Sequence, residues 1–415
     1  MIVFVDYKYK GIGGVGQLVT NTVLELNRKG LLAKVYASHD SYEYNRLKDE
    51  KANCILIDSE KVKIKHLSSF LDMEDVIFLT HLDNVELLDC LYKINNKIIF
   101  YTVHPDTFFI DSRFFSLCNY TSKALQFIAL LEKKNALYIM DRTNADAIER
   151  RGLELTKPIN YLPVPIRIDK KLVRSQNDHP LLRNVTYIGR GNDDWKIYPV
   201  IKILQDLNKL EGNYKFTICT DKDVRYKELI DLYVPNNKLI IEYKINLFGS
   251  ELDEFLIKFS WLHISMGTSA LEGAKLGIPT ILIDYSKNLF PDNYVYKWLF
   301  EADGFSLADE ILPNMIMKGR PLEDIVIQLE IDNSYSHIAE LCFKYVMDNH
   351  SLSTFVDKLN EACKVSEMTV QDYCNSSLTI FLKYIKPPYK YFALFLSCIR
   401  KYVNSNRNMG KSSLA

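Results

Sequence analysis

Short apolar runs alternate with helix-patterned stretches along most of this chain, and the alternation occurs twice. The runs IVFVD, AKVYAS, NCILID, DVIFLTH, KIIFYTVH, ALYIM and INYLPV fall within residues 1 to 165. They are nearly continuous in apolar residues rather than alternating, as strands buried on both faces are, and parallel sheets covered by crossover helices bury strands that way. A second series, NVTYIGRG, YKFTICT, KLIIEYK, WLHISMG and IPTILID, begins near residue 185, each run followed by helix-like sequence. Between the series lies LPVPIRIDKKLVRSQNDHPLLRN, whose prolines and polar residues read as a connection rather than an element. The expected organisation is α/β: a doubly wound domain over 1–165, a linker over 166–184, a second doubly wound domain over 185–370, and a helical, basic and aromatic tail over 371–415. Two such domains are expected to face a ligand cleft at the carboxyl ends of their strands.

The length of 415 residues is enough for two cored domains. Lys+Arg and Asp+Glu balance at 52 each, so bulk charge gives no reason to expect nucleic acid as a partner. Eight cysteines without CxxC or metal-ligand spacing fit buried thiols in a reducing compartment better than disulfides or zinc. The chain opens on a strand pattern rather than a signal peptide, and no uncharged run reaches the length of a membrane span. A cytoplasmic protein is the expectation.

Two segments look built for anions. In YKYKGIGGVGQLVTNTVLELNRKG, Gly11, Gly13 and Gly16 spell GxGxxG between a strand and a helix, and Asp40 ends the next strand run, where a ribose-binding acid would sit in a nicotinamide site. Against that site, KYK separates the strand from the first glycine, and Gly13-Gly14 makes a looser loop than a pyrophosphate-gripping turn. In HISMGTSALEGAKLGIPTILIDYS, Gly267, Thr268 and Ser269 turn the chain from a strand into a short helix, where backbone amides and two hydroxyls can meet a diphosphate. Glu272 follows one turn in, placed to accept from vicinal sugar hydroxyls. Ser269 to Glu272 is equally an S-x-x-E capping box, which needs no ligand.

Taken in order, these segments resemble the GT-B glycosyltransferases, and within them the family-4-like sugar-nucleotide transferases. SMGTSALEGAKLGIPTI resembles the signature of their C-terminal domain. GGVG with its helix resembles their glycine loop, FYTVHPD their strand ending in histidine, and NYLPVPIRID their proline-containing inter-domain segment. YIGRGNDDWKIYPVIKIL resembles their strand, G-R and lysine, and INLFGSELDEFLIKFSWLHI the glycine loop before the signature. The resemblance spans roughly residues 1 to 300 and implies a nucleotide-sugar donor as substrate, with no cofactor and no metal. It implies that Arg190 and Lys196 bind the donor diphosphate, together with Gly267, Thr268 and Ser269. Glu272 is implied to hold the ribose, His104 to act near the transferred sugar, and Gly13, Gly14 and Gly16 to line the loop between donor and acceptor.

One departure stands out. The retaining members carry a second acid eight positions before the ribose glutamate, and that position here is Ile264. Retention is therefore only weakly preferred. If the chain inverts instead, a base must activate the acceptor, and His104, Asp106 and Asp111 are candidates. The expected activity is sugar transfer to a glycan or lipid-linked acceptor in bacterial surface polysaccharide biosynthesis. The alternatives are a degenerate GT-B protein that binds another transferase, or a sugar-nucleotide epimerase; an NAD dehydrogenase ranks last. From Tyr373 to Ala415 there are seven basic residues and no acidic ones, interleaved with Phe, Tyr, Leu and Ile. Beyond about residue 389 this tail suits docking on the inner face of a membrane.

Overall fold

The computed structural model describes residues 1–6, 14–80, 95–109, 119–175, 180, 182–191, 193–312, 315–331 and 334–382. Gly11, Gly13, Asp111 and the tail beyond 382 lie outside the described residues. The chain divides into two compact units, one made of Met1–Tyr138, Asn144–Asn160 and the chain from Asn360 onward, the other of Ile139–Thr143 and Tyr161–Leu359.

The first unit is built on a six-stranded sheet of order β3-β2-β1-β4-β5-β6. Its strands are β1 (Ile2–Asp6), β2 (Ala33–Ala37), β3 (Cys54–Asp58), β4 (Val76–Leu79), β5 (Lys97–Thr102) and β6 (Leu137–Ile139). β1 pairs in parallel with both β2 and β4. Every residue of β1, β2 and β4 is buried, which is why their sequences show no polar alternation. Helices α1 (Gly14–Arg28), α2 (Tyr42–Asp49), α3 (Tyr120–Lys133) and α4 (Arg142–Glu149) are interleaved with these strands. Strand order reverses between β1 and β4, so the crevice that doubly wound sheets use for ligands opens at the carboxyl end of β1.

The second unit repeats the plan with order β12-β11-β10-β7-β8-β9. Its strands are β7 (Arg183–Ile188), β8 (Tyr214–Thr220), β9 (Ile240–Ile245), β10 (Leu262–Ser265), β11 (Thr280–Leu282) and β12 (Lys297–Trp298). Only β12 runs antiparallel, against β11. Its helices are α5 (Asp194–Leu207), α6 (Val224–Tyr233), α7 (Gly249–Phe259), α8 (Thr268–Ala274), α9 (Leu322–Glu330) and α10 (Ser334–His350). The apolar faces of α5, α6, α8, α9 and α10 close one core over this sheet. Helix α11 (Leu352–Val365) carries the chain out of this unit, and α12 (Val370–Cys374) belongs to the first. There Ile98 N–H donates to the Met368 carbonyl (2.8 Å) and Tyr373 meets Phe127 edge-on at 5.2 Å.

One sequence expectation needs correction, and one strand was not foreseen. INYLPV is not a strand: only Tyr161 makes an isolated bridge, to Ile139. Pro163 and Pro165 lack the N–H groups that would extend that ladder. Strand β12 was not legible in the sequence, because two residues are too short to carry a pattern.

Candidate functional site

In the second unit the strand order reverses between β7 and β10. These strands pair with Val185 opposite Leu262 and Thr186 opposite His263, so their carboxyl ends lie side by side. The Ser265 hydroxyl donates to the Ile188 carbonyl (3.0 Å), joining the last residues of the two strands. Two loops leave this point: Gly189–Asp193, which enters α5 with Arg190 and Lys196, and Met266–Gly267, which enters α8 with Thr268, Ser269 and Glu272. The fold thus brings six of the sequence-predicted site residues to one switch point of one sheet.

The first loop is held rigidly by residues the sequence did not single out. Asp221, just after β8, accepts from Gly191 N–H at 2.8 Å. A side chain at Gly191 would begin 2.1 Å from the Lys222 carbonyl oxygen, so only glycine fits this approach. The buried Tyr187 hydroxyl donates to the Lys196 carbonyl (2.8 Å), and the Tyr226 hydroxyl reaches the Arg190 carbonyl at 3.4 Å. On this frame the two cations are left open. Arg190 is 67% exposed and its nearest carboxylate, Asp193, stands at 3.9 Å. Lys196 makes no ion pair among the described residues; its ammonium lies 4.9 Å from the centre of the Trp195 ring. Burial, and then the neighbouring Arg190 charge, lower its pKa. The Asp193 and Asp221 charges act on Lys196 in the opposite sense and come after burial and Arg190; a half-buried ammonium beside a guanidinium is an arrangement that can attract an anion.

The second loop turns at Gly267, with φ 58° and ψ −148°, a conformation essentially confined to glycine. Gly267 N–H donates to the Leu307 carbonyl (3.0 Å), so this amide is already engaged, contrary to the sequence expectation. The Thr268 and Ser269 N–H groups have no partner among the described residues. The capping-box alternative is also overturned. The cap of α8 is Gly267 with no side-chain bond, and Ser269 is already helical. Glu272 instead pairs with Lys275 at 2.6 Å, and Lys275 reaches on to Asp253 at 2.9 Å.

Beneath α8 sits His263, fully buried. Its Nε2–H donates to the Ser269 carbonyl (2.9 Å), since a carbonyl only accepts, and its Nδ1 therefore accepts from the Thr186 hydroxyl (3.0 Å). Burial holds its pKa down to about 4, so the ring is neutral. A side chain on Gly273 would begin 2.6 Å from this ring, which explains the glycine inside the helix. Ile264 is fully buried in the core of the sheet, paired opposite Ile281, where no side chain meets a ligand. Farther along the same edge, Asp284, Asp309, Tyr294 and Lys297 line a small pocket past β11. Its carboxylates are internally satisfied: Asp284 accepts from Asp309 N–H (2.9 Å), and Asp309 from the Ser306 hydroxyl (2.8 Å).

The remaining predicted residues lie in the first unit. His104 follows β5, its side chain 68% exposed, and its Nδ1 accepts from Asp106 N–H (3.1 Å). Asp106 pairs with Arg151 at 3.0 Å. Gly13 lies outside the described residues. Gly14 and Gly16 are not loop residues but the first turn of α1. Gly14 has open space around it, whereas a side chain on Gly16 would begin 2.8 Å from Glu43 Oε2. Among the described residues no group of three or more His, Cys, Asp or Glu stands together as a metal centre.

Two doubly wound domains with these strand orders define the GT-B fold, and this chain has that fold. No protein-family model matches the sequence, and no curated protein matches it. Solved structures do match. A glycosyltransferase from Rickettsia africae ESF-5 superposes with a TM-score of 0.57 at 15% identity, over 88% of this chain and 97% of that one. HepE from Anabaena, in complex with UDP and glucose, gives 0.55 at 12% identity, over 88% and 99%. The lipopolysaccharide outer core galactosyltransferase WaaB gives 0.52 at 12%, over 87% and 98%.

Proposed function

We propose that this chain is a glycosyltransferase that moves a sugar from a nucleotide-sugar donor to a glycan or lipid-linked acceptor. The observation that carries the reading is the open pair of cations, Arg190 and Lys196, on a braced loop at the switch point of the second unit. A departing nucleoside diphosphate gains negative charge as the glycosidic bond breaks, and fixed cations stabilise that departure more than the ground state. The amides of Thr268 and Ser269 add donors from the neighbouring loop. Glu272, oriented by Lys275, is the group for the ribose hydroxyls. The presence of glycosyltransferases among the structural neighbours supports this reading, and HepE holds UDP and glucose.

His104 is proposed to act near the transferred sugar. Its replacement by alanine should lower kcat and leave nucleoside diphosphate binding intact. The proposed setting is bacterial surface polysaccharide synthesis, with the basic tail beyond residue 388 docking on an anionic leaflet. Among the described residues no helix is long and apolar enough to cross a membrane. Sedimentation with anionic liposomes of the full chain against a chain ending at Pro388 tests the docking: equal pelleting would remove it.

A second reading has one specific observation behind it. With Ile264 sealed in the core, the acid that the retaining members place there has no substitute at that position, as in a protein that binds nucleotide without transferring sugar. Thermal-shift measurements with UDP-, GDP- and ADP-sugars against NAD, followed by release of the nucleoside diphosphate, separate these readings. Stabilisation by a nucleotide sugar with turnover supports the transferase; stabilisation without turnover supports the binding protein; a response to NAD alone overturns both.

A further inference from the structure

The sheet of the second unit has one closed edge and one open edge. At the β12 end, Tyr296 and Arg320 exchange backbone hydrogen bonds (2.8 and 2.9 Å), which pairs that edge with a further segment. At the other end stands β9, whose only ladder among the described residues is the parallel one with β8. None of its 6 residues is buried, whereas β8 beside it is almost wholly so. Exposed apolar residues mark both ends: Ile240 (70%) opens the strand and Phe248 (67%) lies just past it.

The alternation of the backbone assigns the free groups. Asn246 N–H donates to the Thr220 carbonyl at the end of β8 (2.9 Å). Direction alternates along a strand, so Ile240, Glu242 and Lys244 also turn their N–H and C=O groups toward β8. Those of Ile241, Tyr243 and Ile245 turn outward, and no backbone group of another element meets them among the described residues. The side chains alternate too. Glu242 and Lys244 share the face toward α7, where the Lys244 ammonium lies 5.5 Å from the centre of the Phe255 ring. There Glu242 pairs with both Lys244 (2.6 Å) and Lys215 (2.6 Å). Tyr243 takes the face toward α6, with the Lys227 ammonium 5.1 Å from its ring centre.

We propose that β9 is a dimerisation strand: a second copy of this chain pairs with it antiparallel, about a two-fold axis at Tyr243, and the two sheets become one. A lysine on an edge strand ordinarily wards off such pairing. Here an acid two residues away turns the charge into a signal for register. With the axis at Tyr243, Glu242 stands directly opposite the partner's Lys244, and Lys244 opposite the partner's Glu242. Ile241 meets the partner's Ile245, and the outward groups of Ile241, Tyr243 and Ile245 complete hydrogen-bonded pairs. Moving the axis by one residue sets Glu242 opposite the partner's Glu242, or Lys244 opposite the partner's Lys244, and like charges directly opposite destabilise a strand pair. The interface is isologous, so it closes as a dimer instead of growing into a fibre. It stands whether or not the transferase reading holds.

Sedimentation equilibrium of the full chain tests the dimer. The wild type should show twice the mass of one chain. Lys244→Glu and Glu242→Lys should each weaken dimerisation at least roughly tenfold, with thermal melting to confirm that each variant folds. An equimolar mixture of the two variants should dimerise again, because every acid then faces a base across the strand pair. Ile245→Pro deletes an outward N–H and no bond to β8, so it should give a folded monomer with the charges untouched. A wild type that stays monomeric at its highest soluble concentration would overturn the proposal. So would a dimer that Ile245→Pro leaves intact, or folded charge variants that show no recovery on mixing.

Discussion

Arg190 and Glu272 are adjacent in function by hypothesis but differ in how the fold treats them. Arg190 is left without a close carboxylate, so its loss should remove ligand binding rather than structure. A charge-assisted hydrogen bond is worth about 1.5–3 kcal/mol, and Arg190→Ala should weaken nucleoside diphosphate binding roughly ten- to a hundredfold by calorimetry with unchanged melting. Glu272 has a structural partner in Lys275, which is only 11% exposed. Glu272→Gln removes that ion pair but leaves Asp253 to answer Lys275, so it should cost little stability. A loss of donor affinity in that variant would mark the ribose role; full affinity with clear destabilisation would mark Glu272 as a partner of Lys275 only. Lys275 lies three positions after Glu272, a local pair, but the onward link to Asp253 spans 22 positions and no local pattern announces it.

At the scale of elements, the loop after β7 depends on the loop after β8. Asp221→Ala leaves the Gly191 N–H without its acceptor, whereas Asp221→Asn keeps an oxygen there. The alanine variant should bind nucleoside diphosphate roughly tenfold more weakly while the asparagine variant stays near wild type, a contrast that simple loss of charge does not produce. Helix α8 depends on His263 in the same way. Gly273→Ala drives a methyl to 2.6 Å from the buried ring and should cost about 1–3 kcal/mol in thermal unfolding. Gly14→Ala, with nothing within 4 Å, should be neutral. Both glycines look alike in sequence; what separates them is which strand residue lies beneath each helix.

For the whole molecule, the most strongly shifted buried histidines and Asp6 bias stability in opposite directions with pH. His263 and His350 lie in the second unit, and burial holds both near a pKa of about 4 against an ordinary 6.5. Between those values the unfolded chain binds protons that the folded unit refuses, so stability falls as pH drops from 6.5 toward 4. Each histidine contributes on the order of 3 kcal/mol over that range. Asp6, in the first unit, has its pKa raised from 3.8 to about 7, so its folded form gains a proton first and that unit loses stability as pH rises through the same range. All three tryptophans, Trp195, Trp261 and Trp298, fall in the second unit, so their fluorescence reports it alone. Urea midpoints followed that way should decline from pH 6.5 to 4.5. His350→Gln keeps a donor for the Val164 carbonyl and should flatten the decline. An unchanged slope in that variant would mean that His350 titrates normally.

The sequence by itself determined the two doubly wound halves, because strands buried on both faces are continuously apolar, too short for helices, and alternate with stretches of helical period. It also located Arg190, Lys196 and the turn into α8, since glycines and cations at strand ends are local features. Only the tertiary structure decided the rest. Whether Ser269 capped its own helix, whether Gly16 belonged to a loop, and which acids were buried were settled by the folded structure. Asp6 looks in sequence like the ordinary polar end of a strand. Its proton affinity is raised only where the fold buries it, because burial, not identity, moves a carboxyl group away from its ordinary pKa.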